Sequence, residues 1–179
     1  MVETLEDIKR EAEQCRKCPI GSRRKNMVFM RGSFRPKVVF VGEAPGRQED
    51  LQGIPFCGPS GKLLDEQIAR IGLLPEDFTI INIIKCRPTT PMHDNRMPSD
   101  DEAHNCIPFL LRQLKVLDPK IVVSVGNVAK YHLTKAGIKR HAHVIHPAAT
   151  LHNRDPEMKK AFEEGFDRLK AVLDKEAGL

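Results

Sequence analysis

An α/β fold with a parallel central sheet is the architecture this sequence predicts, on three observations. Short apolar, β-branched runs at 38–41, 78–84 and 121–125 alternate with helical patterns near 61–71, 102–117 and 127–135. The runs are apolar at successive positions instead of every second one, as strands covered on both faces must be. The first run, Val38-Val39-Phe40-Val41, stops at Gly42-Glu43-Ala44-Pro45-Gly46, and open α/β sheets build their sites where such strands finish. Glycines in a turn of that kind let backbone approach a ligand closely.

The elements follow in order. Leu5, Ile8 and Ala12 recur at helical spacing, so 3–14 reads as an amphipathic helix ending near Cys15. The pair Cys15-Arg16-Lys17-Cys18 comes next, then the basic Arg23-Arg24-Lys25. The strand at 38–41 feeds two glycine-rich loops, the second being Gly53-Ile54-Pro55-Phe56-Cys57-Gly58-Pro59-Ser60-Gly61. The strand at 78–84 leads into a polar, proline-rich loop at 88–99, of a kind that often carries function. After the third strand and its helix, Val144-Ile145 forms a short fourth strand ahead of His146-Pro147. The closing helix, 156–176, carries a stripe of Phe162, Phe166, Leu169 and Leu173. With no internal repeat or low-complexity linker, residues 1–179 are expected to form one domain.

Composition narrows the function classes. At 40% hydrophobic and 30% charged, 179 residues can bury an ample core. Lys and Arg number 29 against 24 Asp and Glu, a formal charge of +5 that favours a polyanionic partner. No stretch approaches the ~20 apolar residues of a membrane span, and Glu3, Glu6 and Asp7 interrupt any secretory leader. The expectation is a soluble, cytoplasmic chain with no membrane partner. Five cysteines make an odd count, which in a reducing compartment points to metal or chemistry before disulfides.

Cys15 and Cys18 form a C-x2-C pair, while Cys86 and Cys106 are separated by 19 intervening residues. Four thiolates can close one site around either a tetrahedral zinc ion or an iron–sulfur cluster. The wide second spacing departs from the paired C-x2-C pattern of zinc sites and favours the cluster. Cys57 is left over and reads as a small buried hydrophobe, with no basic neighbour to activate it.

Asn82 ends Ile80-Ile81-Asn82, where an amide among apolar neighbours must find partners or cost stability. Its acceptor and two donors match the edge of a uracil or, rotated, a cytosine. Phe56 could stack on a base or fill the core, the core being the commoner use. His146 follows the fourth strand, where a donor can meet negative charge developing on a leaving group. Leu151 could wedge into a base stack while Arg154 meets phosphate. Lys85, Arg87 and Arg23-Arg24-Lys25 are further phosphate candidates, each of which a solvated basic surface would explain equally well.

With these residues in view, the chain resembles the iron–sulfur-containing family 4 uracil-DNA glycosylases. The resemblance spans nearly the whole sequence. It rests on Gly42-Glu43-Ala44-Pro45-Gly46-Arg47-Gln48-Glu49-Asp50, on Gly53-Ile54-Pro55-Phe56 with Gly58 and Gly61-Lys62-Leu63-Leu64, on Asn82 with Lys85-Cys86-Arg87-Pro88, and on His146-Pro147-Ala148-Ala149. It implies a three-layer αβα sandwich around a four-stranded parallel sheet, with a [4Fe–4S] cluster on Cys15, Cys18, Cys86 and Cys106 forming a lobe of the domain. It also implies hydrolysis of the N-glycosidic bond of a flipped deoxyuridine, leaving an abasic site.

By that resemblance Phe56 stacks on uracil, Asn82 reads its edge, and His146 donates to O2 of the departing base. Gly42, Ala44 and Gly46 line the wall. Ala44 cannot polarise water, and related enzymes of another family carry an aspartate there, so Glu43 is taken as the water-positioning group. Gly58, Ser60, Arg87, Leu151 and Arg154 are the expected DNA contacts. The implied partner is uracil-containing DNA, single- or double-stranded, with a polymerase clamp as a further partner, for a monomer associated with a prokaryotic nucleoid. Two rival readings differ in class. One is covalent capture of uracil-DNA through the basic Lys139-Arg140-His141, and the other is a non-catalytic iron–sulfur module that binds DNA. The loop around Met92-His93-Asp94-Asn95-Arg96 is longer than the family usually carries, which could add a DNA contact.

Overall fold

The computed structural model describes residues 3–151 and 155–176. Helix α1 (Leu5–Gln14) is followed by the short α2 (Pro19–Arg23) and a two-residue strand, β1 (Arg31–Gly32). Then come β2 (Val38–Gly42), α3 (Arg47–Gln52), α4 (Pro59–Arg70), β3 (Phe78–Asn82) and α5 (Asp100–Leu117). The order closes with β4 (Ile121–Val125), α6 (Asn127–Lys135), β5 (Ala142–Val144), α7 (Ala148–Leu151) and α8 (Pro156–Glu176). Among the described residues no helix is long and apolar enough to cross a membrane.

The strands lie in the order β1-β3-β2-β4-β5. Four are parallel, as expected, and β1 adds an antiparallel edge with Arg31 opposite Ile80 and Gly32 opposite Thr79. The four-stranded sheet of the sequence reading is therefore corrected to five. Arg31-Gly32 carries no apolar signature because main chain alone makes the pairing. Gly32 sits at φ 113°, and a Cβ there would lie 2.4 Å from the Phe78 carbonyl oxygen. Two boundaries also move. β3 ends at Asn82 instead of continuing through Ile84, and β5 lies at 142–144 instead of 144–145.

Strand parity sorts the core into two faces. Val38 and Phe40 of β2, Phe78 and Ile80 of β3, and Val123 of β4 face α4 and α8, packing on Leu64, Ile68, Phe162, Phe166, Leu169 and Leu173. Val39, Val41 and Ile81 point the other way, onto Leu110 and Leu117 of α5 and Ala129 and Leu133 of α6. Each such side chain taken out of water contributes ~1.5–3 kcal/mol, so the two apolar layers fix which strand ends stand side by side. Helix α1 stacks outside α5, setting Ile8 and Ala12 against Phe29 and Phe109. The arrangement is the expected αβα sandwich.

Capping fixes the helices that border the strand ends. Thr4 and Asp7 form a capping box at α1, and Ser99 and Glu102 form another at α5. Glu102 also takes two nitrogens of Arg96 at 2.8 and 2.6 Å, which clamps the 88–99 loop onto α5.

Candidate active site

Gly42 and Asn82 are register partners at the C-terminal ends of β2 and β3. Parity turns both toward the face covered by α4 and α8. Because Gly42 has no side chain, two other groups occupy its space. A Cβ there would lie 2.4 Å from Phe56 Cε2 and 2.5 Å from Asn82 Oδ1. Phe56 is held at φ 52°, a left-handed conformation that costs energy for a bulky residue. Its loop is braced by Arg31, whose Nε donates to the Pro55 carbonyl at 2.8 Å and whose Nη2 meets Asp65 at 2.6 Å. On the other side Gly61 packs so closely that a Cβ would lie 1.6 Å from the Phe56 carbonyl oxygen.

These groups open onto a cavity of about 420 Å³ lined by Glu43, Ala44, Gly46, Phe56, Asn82 and His146. Gly58 and Ser60 line it as well, with Pro88, Asn95 and Arg96 from the long loop. The rings of Phe56 and His146 stand 5.7 Å apart, tilted by 36°. Asn82 is 1% exposed, and neither Nδ2 nor Oδ1 of its carboxamide has a hydrogen-bond partner. An orphaned buried polar group costs ~1–3 kcal/mol, so two on one side chain facing a cavity mark a ligand-reading position.

The tautomer of His146 follows from one contact. The Ala148 N–H donates to His146 Nδ1 at 3.1 Å, so Nδ1 is unprotonated and the neutral ring carries its proton on Nε2. Burial pushes the His146 pKa below the ordinary histidine value, with the charge of Glu49 pulling the other way. Burial likewise pushes the Glu43 carboxyl up. Glu49 ties the two glycine loops together: one oxygen accepts the Gly46 N–H and the other the Gly58 N–H, each at 3.1 Å.

Cys15, Cys18, Cys86 and Cys106 line a second, smaller cavity between α1, the end of β3 and α5. Nitrogen donors surround the sulfurs. Arg24 Nη1 donates to Cys86 at 3.0 Å, the Lys85 main-chain N–H to Cys106 at 3.3 Å, and Asn105 Nδ2 to Cys18 at 3.4 Å. Burial pushes the Cys86 thiol up and that of Cys106 to about 11. Among the described residues no three His, Cys, Asp or Glu converge closely enough for a single ion. All four cysteines are among the residues lining that cavity.

The family model of the uracil DNA glycosylase superfamily matches residues 29–170. The sequence is 36% identical to a type-4 uracil-DNA glycosylase of Archaeoglobus fulgidus, over 97% of this chain and 96% of the relative. It is 36% identical to the type-4 uracil-DNA glycosylase of Sulfurisphaera tokodaii, over 96% of this chain and 86% of that one. The chain belongs to the type-4 uracil-DNA glycosylases. A third such relative, from Thermotoga maritima, is 33% identical over 97% of both chains.

In this glycosylase the residues singled out from sequence as catalytic and base-contacting come together around one cavity, apart from Gly42, which forms its floor beneath Phe56 and Asn82. Leu151 ends α7 and is 44% exposed, five residues beyond His146. Arg154 lies outside the described residues. Arg87 turns sideways, its Nε donating to Asn95 at 2.7 Å and its Nη2 to the His93 carbonyl at 3.0 Å. Two phosphate candidates are corrected. Lys85 is fully buried, and Arg24 spends its guanidinium on Cys86 and on the Ala12 and Glu13 carbonyls. Cys57 is half-buried instead of core, 3.8 Å from Glu49, and burial with that carboxylate pushes its thiol up.

Three residues of the site were not singled out from sequence. Glu49 had a legible signal, since Gly46-x-x-Glu49 has capping-box spacing. Asn95 and Arg96 were named only as part of the long loop, and which of its residues reach the cavity is decided by tertiary contacts. The space at Gly42 makes a prediction. Gly42→Ala drives its methyl into Phe56 and the Asn82 amide, and uracil release is expected to fall on the order of 10²-fold, as for a ~1 Å misplacement. Single-turnover assays on the folded variant check this.

Proposed function

We propose that this glycosylase reads a flipped uracil with Asn82, clamps it against Phe56 and stabilises its departure with His146. The orphaned carboxamide of Asn82, buried at the cavity wall, is the observation that carries this reading. Its acceptor and donor pair with N3–H and O4 of uracil, and Phe56 supplies a stacking face worth ~1–3 kcal/mol. The bond between C1′ and N1 breaks heterolytically, its electron pair passing to the base and collecting on O2 as an oxocarbenium-like sugar forms. A neutral His146 with its proton on Nε2 can donate to that oxygen. Water then adds to C1′, and Glu43, beside Ala44 in the cavity wall, orients it and takes up its proton. Gly58, Ser60, Arg87, Leu151 and Arg154 are assigned to the DNA strand around the flipped nucleotide.

The neutral-histidine role fixes a pH dependence. Because burial lowers the His146 pKa, the donor form persists as pH falls through 6.5. The rate constant for uracil release is expected to hold level through that value and to decline only below it, where His146 and Glu43 take up protons. Because burial also raises the Glu43 carboxyl, an acid limb at 6.5 or above that persists in Glu43→Gln would remove His146 from this role.

The four-cysteine cavity suits a [4Fe–4S] cluster. A cube of iron and sulfide holds its thiolates further apart than one ion does, and the donor set is all sulfur with nitrogen donors around it. Cys15, Cys18, Cys86 and Cys106 are assigned as ligands, and the cluster supplies a cross-link between the α1–α2 turn and the segments at 86 and 106.

The covalent-capture reading has little support. His141 precedes β5 and so lies at the opposite end of that strand from His146 and the cavity, with Nδ1 2.8 Å from the Ile138 carbonyl. The test is incubation with an oligonucleotide carrying one uracil opposite guanine, then alkaline cleavage, with a thymine control. Scission at uracil alone is expected. A denaturant-stable adduct would favour capture, and no reaction from folded, DNA-binding protein would favour the non-catalytic module.

A further inference from the structure

Lys85 is 1% exposed, and the mechanism above gives it no part. Its ammonium donates to the main-chain carbonyl of Asn82 at 2.6 Å, so the chain leaving β3 closes back on the strand's last residue. Its main-chain N–H donates to Cys106 Sγ at 3.3 Å, and its carbonyl accepts the Val28 N–H at 2.9 Å. The charges acting on the ammonium are those of Cys106 and Cys86. A buried ammonium is costly unless it finds an acceptor, and the Asn82 carbonyl is the one it meets. One residue thus meets Cys106 through its main chain and Asn82 through its side chain. The Asn82 carboxamide has no hydrogen-bond partner among the described residues to orient it, so its direction depends on packing and on its main chain, which Lys85 holds.

We propose that Lys85 is a positioning residue, its ammonium holding the Asn82 main-chain carbonyl and thereby aiming the carboxamide at uracil. This rests on the base-reading role of Asn82. The test is single-turnover uracil release by iron-loaded Lys85→Met, alone and combined with Asn82→Ala, alongside iron content and affinity for a uracil-containing oligonucleotide. The single variant is expected to keep its iron and bind DNA within about twofold of the parent, while release slows on the order of 10²-fold. In the Asn82→Ala background the same substitution is expected to change the rate by less than about twofold, because the two residues act through one contact.

Parent-like release by Lys85→Met, or an equal fall in both backgrounds, overturns the proposal. If the Met variant does not fold, Lys85→Gln, which keeps a donor without the charge, takes its place in the same cycle. Folded but iron-free protein from both variants also overturns it, leaving Lys85 a role in cluster retention alone. Parent-like release by Asn82→Ala itself removes the base-reading role instead, so the two failures are told apart.

Discussion

Asn82→Ala is expected to slow uracil release by about 10³-fold, the upper range for losing one preorganised polar group at a reacting centre, without weakening the fold. The combination is unusual, because a buried polar side chain in the middle of a sheet usually stabilises its surroundings. Here both polar atoms of the carboxamide are unpartnered, so alanine removes two desolvated groups and leaves the β2–β3 ladder intact. Thermal unfolding of the variant is expected at or above the parent temperature, with a gain of up to about 1–3 kcal/mol. Rate loss with retained or raised stability identifies a residue kept for its ligand. Rate loss with a lowered Tm would instead make Asn82 a structural amide.

Cys86→Ser is expected to lose iron and stability together. Cys86 lies beside the end of β3, and its sulfur receives Arg24, which in turn holds the carbonyls of Ala12 and Glu13 at the end of α1. Removing one thiolate therefore loosens the strand end and the N-terminal helix in one step. Metal binding free energy is folding free energy where the ligands come from separated segments. A Tm lower by about 10 °C or more is the expected reading, corresponding to several kcal/mol for a chain of this size. Iron analysis and thermal unfolding on the same sample check it. A stable, active, iron-free Cys86→Ser protein would reject the clamp.

The parallel strands β2, β3 and β4 were legible because they are buried on both faces and so are written as apolar runs, whereas β5, half-buried at Ala142 and His143, was misplaced. The same rule misled at Ile83 and Ile84. Their run continues past the strand, but they are buried where the chain bends, with their N–H groups taken by the Gly42 and Glu43 carbonyls at 2.9 and 3.2 Å. At the site, Gly42, Phe56, Asn82 and His146 could be read because each is a chemical exception at a strand end or tight loop. Lys85 could not. A lysine between Ile84 and Cys86, followed by Arg87, looks like surface, and only the tertiary structure shows its ammonium folded back under Asn82. Asn95 and Arg96 could not be singled out within their loop for a related reason, since their approach to the cavity depends on Arg87 and Glu102.

The two-residue β1 has a consequence for behaviour at high concentration. Without it, β3 would end the sheet as a five-residue row of open main-chain groups flanked by isoleucine, a template on which a neighbouring molecule could add a strand. Arg31 and Gly32 occupy that row, and the strand they form is too short to pass the template on. The guanidinium that places charge on this boundary is the one bracing the Phe56 loop. Resistance to self-association and the shape of the Phe56 wall of the cavity are therefore entrusted to the same side chain, and a substitution at Arg31 is exposed to selection from both directions.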